Sequence, residues 1–255
     1  MTTVQSHSSP DSQAPSGVRP VMRAVWLGTV PYGLALKLQH KLLEQRKNNV
    51  IPDTLLLLEH PHVFTLGRRA DGSHVTADED TLKSASVEVV ETDRGGEATY
   101  HGPGQLVAYP IVSIREAGLG PVAYVRLLEE AVIGALRDYV VSGHRVVGKT
   151  GVWVGGEPGT RVTDSIPPAG AKVAAMGVRI SSGVAMHGFA LNVITDLSYF
   201  GYIVPCGMPG LTVASIASLT RKRPSVRDVG ESAAVHLARL LGREMKWVTA
   251  EEIAG

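Results

Sequence analysis

The chain contains a single cysteine, Cys206, among 255 residues. One thiol excludes an intramolecular disulfide, and it also excludes metal sites that are built from several thiolates. The nine histidines show no HExxH spacing, so we expect neither a structural nor a catalytic metal ion. The sequence therefore predicts that Cys206 forms no disulfide within the chain and binds no metal ion.

The sequence also lacks a long apolar run and an excess of one charge. Its longest aliphatic block is Leu55 to Leu58, whereas a membrane-spanning helix needs about 20 apolar residues. Lys and Arg number 25 against 24 Asp and Glu, which gives a formal net charge of +1. Such a chain has no bulk attraction for nucleic acid or for an anionic membrane. We expect no nucleic-acid or membrane partner, so any partner must be recognised by a local patch.

Residues 1–20 are rich in Ser, Pro and Gln and contain almost no large apolar side chain. Such a segment buries too little surface to offset the entropy cost of ordering it, so we predict a disordered N-terminal tail. It lacks the apolar centre of a secretory signal, and with one Arg and one Asp it does not resemble a mitochondrial presequence. A cytoplasmic location is expected by elimination, and residues 21–255 are expected to form one domain.

Gly and Pro positions and the apolar periodicity divide the chain into predicted elements. The predicted strands are residues 23–30, 54–59 with 62–68 as its continuation, 87–91, 98–100, 106–114, 151–154, 172–180 and 185–193. The predicted helices are residues 31–49, 122–141 and 225–241, and the predicted inserted loop is residues 155–170. Strands outnumber helices without alternating strictly with them. The predicted fold class is therefore α/β (α+β), a single domain on a mixed β-sheet flanked by helices, and not a doubly wound parallel sheet.

Cys206 lies between a proline and a glycine. Pro205 keeps the residue before it extended and Gly207 allows a sharp turn, so the thiol is expected on a loop that a substrate can reach. The alternative is a small buried hydrophobic side chain, which is the usual environment of a free cysteine. A nucleophilic thiolate needs a nearby cation, because a thiol with a pKa of ~8.5 is mostly protonated at neutral pH. Spacing does not choose among the candidate cations, which are Lys172, Lys149, His101 and His187.

The most unusual segment is RGGEATYHGPGQ, residues 94–105. Gly95 and Gly96 permit close approach of a ligand to the backbone, and Arg94 can donate paired hydrogen bonds to an anionic or carbonyl group. His101 adds a titratable group beside a turn. Three alternatives remain at this point: an RGG-type RNA contact, a phosphate cradle, or a plain β-turn. The chain carries no P-loop and no dinucleotide-binding fingerprint.

Five segments indicate a family resemblance when they are considered in the order in which they occur along the chain. They are LLLLEHPHVFTLGRR, DRGGEATYHGPGQLVAYPI, KVAAMGVRI, HGFALNV and IVPCGM. In this order they resemble the octanoyl (lipoyl) transferase family of the biotin/lipoate protein ligase superfamily, over roughly residues 21–241. The resemblance implies a mixed α/β catalytic domain over residues 21–255 and an acyltransferase activity. The segment at 155–170 is longer than the family leads us to expect.

The resemblance also assigns roles to particular residues. The implied acyl-accepting nucleophile is the cysteine of the PCG motif, Cys206, and its implied catalytic partner is Lys172, which opens the KxAxxG segment. The implied substrate pocket is formed by Arg94, Gly95, Gly96, Glu97, Ala98, Thr99, Tyr100, His101, Ala175, Met176, Gly177, Gly188, Phe189 and Ala190. No metal ligand is implied.

Under this resemblance the enzyme transfers an octanoyl or lipoyl group from acyl carrier protein to a specific lysine of a lipoyl domain, through an acyl-cysteine thioester. The implied donor is the phosphopantetheine thioester of the carrier. The implied acceptors are lipoyl domains of 2-oxoacid dehydrogenase E2 subunits and the glycine-cleavage H protein. Neither ATP nor a metal is expected. Three other functions stay open: an ATP-dependent lipoate or biotin ligase, a non-catalytic carrier-binding module, and a cysteine hydrolase or thioesterase.

Overall fold

The computed structural model describes residues 19–156 and 170–254. The predicted tail, apart from its last two residues, and the predicted inserted loop, apart from its terminal glycines, lie outside the described residues. Within the described ranges, no helix is both long enough and apolar enough to cross a membrane.

Two β-sheets form the framework of the molecule. In the described residues the strands are β1 (Val21–Thr29), β2 (Asp53–Glu59), β3 (Val63–Leu66), β4 (Glu88–Glu91), β5 (Ala98–His101), β6 (Gln105–Ser113), β7 (Gly143–His144), β8 (Val152–Val154), β9 (Ala171–Ser181), β10 (Val184–Asn192) and β11 (Glu244–Trp247). The main sheet has the order β11-β1-β2-β6-β10-β9-β8-β7, and the small sheet has the order β4-β3-β5. In the main sheet β1 pairs in parallel with β2 and β11, and the other neighbours are antiparallel. The mixed sheet predicted from the sequence is confirmed.

Helices cover both faces of the main sheet. The helices of the described residues are α1 (Tyr32–Lys47), α2 (Glu79–Ser84), α3 (Pro121–Asp138), α4 (Ile216–Thr220), α5 (Val226–Leu240) and α6 (Ala250–Ala254). α3 and α5 pack against each other and against one face, while α1 lies on the opposite face. Leu55 and Leu57 of β2 belong to the core beneath α3 and α5, whereas Leu56 and Leu58 belong to the core beneath α1. This strand is buried on both faces, which explains its uninterrupted apolar sequence.

The prediction that residues 62–68 continue β2 is wrong. The chain turns at Pro61, and β3 joins the small sheet, parallel to β4 and antiparallel to β5. Proline has no backbone N–H to donate to a neighbouring strand, so it commonly ends one. The two histidines beside Pro61 therefore contact different sheets. His60 forms a hydrogen bond with a tyrosine of β6 in the main sheet, and His62 forms one with a tyrosine of β5 in the small sheet. Across the described part of the chain, no group of three or more His, Cys, Asp or Glu side chains is placed to hold a metal ion.

The sequence prediction also missed the edge strand β11, whose four residues, EMKW, form a pattern too short to recognise. β11 pairs in parallel with β1. Arg243, just before β11, donates to Asp53 Oδ2 at 2.8 Å, and Arg46 of α1 donates to Asp53 Oδ1 at 2.9 Å. Asp53 is 2 % exposed. This buried ion cluster therefore fixes the approach to β11 against the start of β2 and the end of α1.

Strands of both sheets line one cavity: β5 from the small sheet, and β6, β9 and β10 from the main sheet. A short 3-10 turn, Pro205–Gly207, packs against β5. The chain beyond this turn returns to β9, where the backbone of Lys172 exchanges hydrogen bonds with Thr212 and Ala214. The cavity therefore lies at the junction of the two sheets, and the turn is attached to both.

Candidate active site

The cavity brings the single thiol and a lysine amine into direct contact. The Nζ atom of Lys172 lies 3.0 Å from the Sγ atom of Cys206. Lys172 is 6 % exposed, while Cys206 is half-buried and lines the cavity. The thiol is thus reachable and is not sealed in the core. An amine and a thiol in direct contact can exchange a proton.

An unusual backbone turn presents Cys206. Its φ and ψ angles are 56° and 26°, and Gly207 follows with a φ of 63°, so two successive residues are left-handed. This region costs a residue with a Cβ atom about 1 kcal/mol, and such strain is common at functional positions. The N–H of Gly207 donates to the Val204 carbonyl at 3.3 Å, and that of Met208 donates to the Pro205 carbonyl at 3.1 Å. These hydrogen bonds close the turn. They also use the N–H groups of the two residues that follow Cys206.

Lys172 is fixed through both its backbone and its side chain. Its N–H donates to the Thr212 carbonyl at 2.9 Å, and its carbonyl accepts from the N–H of Ala214 at 3.0 Å. Its Nζ atom lies 5.7 Å from the centre of the Trp153 ring, a cation-π distance. Space for the side chain depends on Gly151, because a Cβ atom there would lie 2.5 Å from Lys172 Cε. A larger residue at position 151 would therefore displace the amine from the thiol.

Gly151 is held in turn by helix α3. Glu129 of α3 is fully buried and accepts a hydrogen bond from the Gly151 N–H at 2.9 Å. The same carboxylate pairs with Arg126 at 2.7 Å and with Arg145 at 3.1 Å. A buried carboxylate with this many donors is strongly held. The loop that leaves room for Lys172 is therefore anchored to the core of the molecule.

The cavity has a volume of about 370 Å³, which is within the usual range for small-molecule sites. Most of the residues predicted to form the substrate pocket line it with Cys206 and Lys172: Arg94, Gly96, Glu97, Ala98, Thr99, His101, Ala175, Met176, Gly177, Gly188, Phe189 and Ala190. Gly95 and Tyr100 do not line it. Gly95 donates its N–H to the carbonyl of Val178 on β9 at 3.0 Å. Tyr100 packs among aromatic rings that include Phe64 and Tyr199, on the opposite face of β5.

Other lining residues were not singled out as pocket residues by the sequence. They are Tyr32, Arg69, Val107, Tyr109, Gly148, Lys149, Thr150, His187, Gly207 and Met208. Strand periodicity was a usable signal for Val107 and Tyr109, because residues two apart on β6 share one face. Tyr32 begins α1 and Arg69 follows β3, so only the tertiary structure brings these two side chains to the cavity.

Arg94 lines the cavity as a buried cation. It is 7 % exposed, and it donates to the Thr65 hydroxyl from Nε at 3.2 Å and from Nη2 at 2.8 Å. Nη2 also donates to the Thr65 carbonyl at 2.6 Å. Burial lowers the pKa of Arg94, because desolvation disfavours the charged form. No carboxylate among the described residues pairs with this guanidinium, which favours a carbonyl or anionic group of a ligand nearby.

Neither candidate histidine supplies a cation beside the thiol. Burial lowers the pKa of His101 well below its ordinary value, and its Nδ1 lies 2.8 Å from Gln105 Oε1. Burial also lowers the pKa of His187, whose Nε2 lies 2.6 Å from Asp93 Oδ1. The hydrogen bond from His187 is the main cause that lowers the pKa of Asp93 to about 2. Both imidazoles are therefore neutral at pH 7, and among the four candidates it is Lys172 that contacts the sulfur.

We expect acidification to destabilise the fold through buried imidazoles such as His60, which contacts Tyr109 of the cavity wall at 2.8 Å. Burial lowers the pKa of His60 from 6.5 to about 4. Between these values the unfolded chain binds a proton that the folded chain does not, so the free energy of unfolding falls as pH falls. At pH 5 the loss from His60 is about 2 kcal/mol. Urea unfolding at pH 7.5 and pH 5 measures it.

The variant His60→Gln isolates this contribution, because it keeps a polar side chain but cannot titrate. Its free energy of unfolding is expected to depend less on pH than that of the wild type, by about 2 kcal/mol over the same interval. Equal pH dependence in the two proteins would show that burial of His60 does not suppress its protonation.

Comparison with known proteins identifies the family. The family model of the lipoyl protein ligase A/B catalytic domain matches residues 31–238. An octanoyltransferase from Solibacter usitatus is 47% identical over 219 residues, which cover 86% of this chain and 92% of that protein. The chain belongs to the octanoyltransferase family.

Further comparisons agree with this membership. An octanoyltransferase from Syntrophobacter fumaroxidans is 42% identical over 89% of this chain and 93% of its own length. A solved bipartite lipoate protein ligase from Thermoplasma acidophilum, described with its E2 lipoyl domain, has a TM-score of 0.68 at 18% identity, covering 92% of this chain and 91% of that one. At this identity the structural likeness shows the fold alone. The family resemblance of the motifs and the mixed α/β fold are confirmed, and this octanoyltransferase family member is an acyltransferase enzyme.

Proposed function

We propose that the chain transfers an octanoyl or lipoyl group from the thioester of acyl carrier protein to a specific lysine of a lipoyl domain. The observation that carries the proposal is the 3.0 Å contact between Lys172 Nζ and Cys206 Sγ in the wall of the cavity. A thiolate suits acyl transfer, because it attacks a thioester readily and also leaves readily when an amine attacks. Family membership favours the same reaction, since both relatives are octanoyltransferases.

In the first step the Cys206 thiolate attacks the carbonyl carbon of the donor thioester. A bond forms between that carbon and the Cys206 sulfur, and the bond to the pantetheine sulfur breaks. The departing pantetheine thiolate takes a proton from the Lys172 ammonium. The products are acyl-Cys206, a free carrier thiol and a neutral Lys172 amine next to the new thioester.

In the second step the acceptor lysine attacks the acyl-cysteine. Its side chain has a pKa of ~10.4 in water, so it arrives protonated and loses two protons as the amide forms. One proton goes to solvent and the other to neutral Lys172. The C–N bond forms, the C–S bond to Cys206 breaks, and the thiolate and the ammonium are restored. Lys172 thus acts as acid in the first step and as base in the second.

The remaining walls of the cavity offer apolar surface for an acyl chain and positive charge for the phosphopantetheine arm that carries it. Met176, Phe189 and Val107 offer apolar surface, and burying an acyl chain gains about 0.8 kcal/mol per CH₂ group. Arg69 and Lys149 also line the cavity, and the Lys149 side chain makes no hydrogen bond or ion pair with a described residue. Two cations there favour the phosphodiester of a phosphopantetheine arm, which supports acyl carrier protein as the donor.

The acceptors in this proposal are lipoyl domains of 2-oxoacid dehydrogenase E2 subunits and the glycine-cleavage H protein. The related Thermoplasma acidophilum ligase was studied with an E2 lipoyl domain, which favours the same class of acceptor. The donor thioester already supplies an activated acyl group, so the proposed reaction uses neither ATP nor a metal ion.

Intact-protein mass spectrometry after incubation with octanoyl-loaded carrier protein tests the proposal. We expect a gain of one octanoyl group, mapped to Cys206, which moves to a lysine when a lipoyl domain is added. The reaction should need no ATP. A requirement for ATP and free octanoate would indicate a ligase, binding without an adduct would indicate a carrier-binding module, and loss of the adduct to water would indicate a hydrolase.

A further inference from the structure

The cavity is rich in positive charge, although one of its proposed substrates is itself a cation. The cationic side chains that line it are Arg69, Arg94, Lys149 and Lys172. Among the described lining residues, Glu97 is the one acidic side chain. An acceptor lysine approaches as an ammonium ion at neutral pH. Lys172 is a neutral amine in the proposed acyl-enzyme, so the cations that repel the ammonium are Arg69, Arg94 and Lys149. Productive binding of that lysine therefore requires an anion close to the acylated sulfur.

Glu97 lies against the turn that carries the thiol. A Cβ atom built on Gly207 would lie 2.3 Å from Glu97 Oε2 and 2.7 Å from Glu97 Cδ. The carboxylate therefore occupies the space directly beside the Gly207 backbone, one residue after Cys206. The left-handed φ of 63° at Gly207 and the absence of a side chain there allow this close approach.

The Glu97 carboxylate is not committed to a strong partner. Its ion pair is with Arg69 Nε at 3.5 Å, and the side chains of Arg69 and Glu97 are 72% and 22% exposed. An ion pair of this length, with one partner mostly in solvent, stabilises little and is readily exchanged. Glu97 can therefore accept hydrogen bonds from a substrate ammonium while it remains in place.

We propose that Glu97 binds the ammonium group of the acceptor lysine and holds it beside acyl-Cys206 before the attack. The assignment rests on the proposed acyl transfer. The ammonium first loses one proton to solvent, because a nitrogen without a lone pair cannot attack. The neutral amine then adds to the thioester carbonyl, and the second proton passes from its nitrogen to the neutral Lys172 amine. Glu97 transfers no proton and forms no covalent bond. The donor step brings no cation into the cavity, so Glu97 acts on the second half of the reaction.

The test separates the two half-reactions. Glu97→Gln keeps the size and the packing against Gly207 but removes the charge, and Glu88→Gln on the exposed strand β4 is the matched control. Glu88→Gln is expected to form the Cys206 adduct and to pass it to the lipoyl domain at rates within about threefold of the wild type. Acylation of Glu97→Gln by octanoyl carrier protein is measured separately, because Glu97 pairs with Arg69 in the same cavity. With a lipoyl domain, discharge of preloaded Glu97→Gln is expected to fall in kcat/KM by about 10- to 100-fold, the size of a lost charge-assisted hydrogen bond.

A neutral nucleophile distinguishes binding of the ammonium from support of the turn. Hydroxylamine is uncharged at neutral pH, so it should discharge the acyl-enzyme of Glu97→Gln and of the wild type at the same rate. Glu97→Asp, which keeps the charge but shortens the side chain, should recover part of the lipoyl-domain rate. It also serves as the second variant if Glu97→Gln folds poorly.

Three outcomes would overturn the assignment. Wild-type discharge to the lipoyl domain in Glu97→Gln would show that the charge is not used. An equal loss with hydroxylamine and with the lipoyl domain would show that Glu97 only supports the turn. Absence of any adduct on the wild-type enzyme would overturn the proposed acyl transfer and this assignment together, and it is seen before the variants are compared.

Discussion

Replacing Cys206 by alanine is expected to abolish acyl transfer and leave the fold intact. The variant has no sulfur to accept the acyl group, so we expect transfer to fall by at least about 10⁴-fold. The fold should persist because Cys206 is half-buried and its side chain bonds only to Lys172 among the described residues. Alanine also meets the same left-handed backbone cost as cysteine. Cys206→Ser should lose transfer as well, because Lys172 cannot ionise an alcohol and an alkoxide leaves poorly.

Transfer of the octanoyl group to a lipoyl domain, followed by mass spectrometry, measures this loss. Thermal unfolding of the same samples checks that the variants are folded. The chain contains no other cysteine, so iodoacetamide labels one site in the wild type and none in either variant. Full transfer by Cys206→Ala would exclude the covalent mechanism, even though the wild-type thiol contacts Lys172 in the cavity.

Lys172→Arg is expected to have the second-largest effect. Arginine keeps a positive charge near the sulfur but does not release its proton in the useful pH range. It is therefore unable to serve as base toward the acceptor lysine, and we expect discharge to slow by about 10³-fold, a usual contribution of general acid–base catalysis. The broad guanidinium must also fit between Gly151 and the Trp153 ring, where the lysine already fills the space.

Single-turnover kinetics locate this defect. Acylation and discharge are followed separately, together with Lys172→Met, which removes the charge as well as the proton. Lys172→Met should slow the alkylation of Cys206 at pH 7 by about tenfold or more, because the thiolate loses its neighbouring cation. Lys83→Arg, on the exposed helix α2, is the control for exchanging a lysine. Near-normal discharge by Lys172→Arg would remove Lys172 from the acid–base role.

The sequence predicted those elements whose pattern is long enough to show a period. Helices α1, α3 and α5 and the long strands β6, β9 and β10 lie close to their predicted ranges, because each has several turns or repeats of apolar side chains. β11 has only four residues, and its tertiary partners are strand β1 and, through Arg243 just before it, the buried Asp53. The position of β3 depends on its pairing with β4 and β5, which are distant in sequence, so the residues around Pro61 alone do not predict it.

Of the candidate site, local sequence predicted the turn around the thiol but not its partner. The turn around Cys206 follows from its proline and glycine, but the choice of Lys172 over Lys149 came from the family motif. In the structure that choice depends on backbone hydrogen bonds to Thr212 and Ala214, which no local pattern reveals. Tyr100 lies outside the cavity because it faces away from its neighbours Thr99 and His101, as the alternation of a strand requires.

The hydrogen bonds between Lys172 and the stretch at Thr212 to Ala214 have a mechanical consequence. The chain is short between Cys206 and the residues that bond the Lys172 backbone. It therefore links the turn that carries the sulfur to the strand that carries the nitrogen. A whole protein domain has to bring its lysine down to this depth. Because one short segment links the thiol to the strand of the amine, we expect their contact to be kept when a lipoyl domain binds at the cavity.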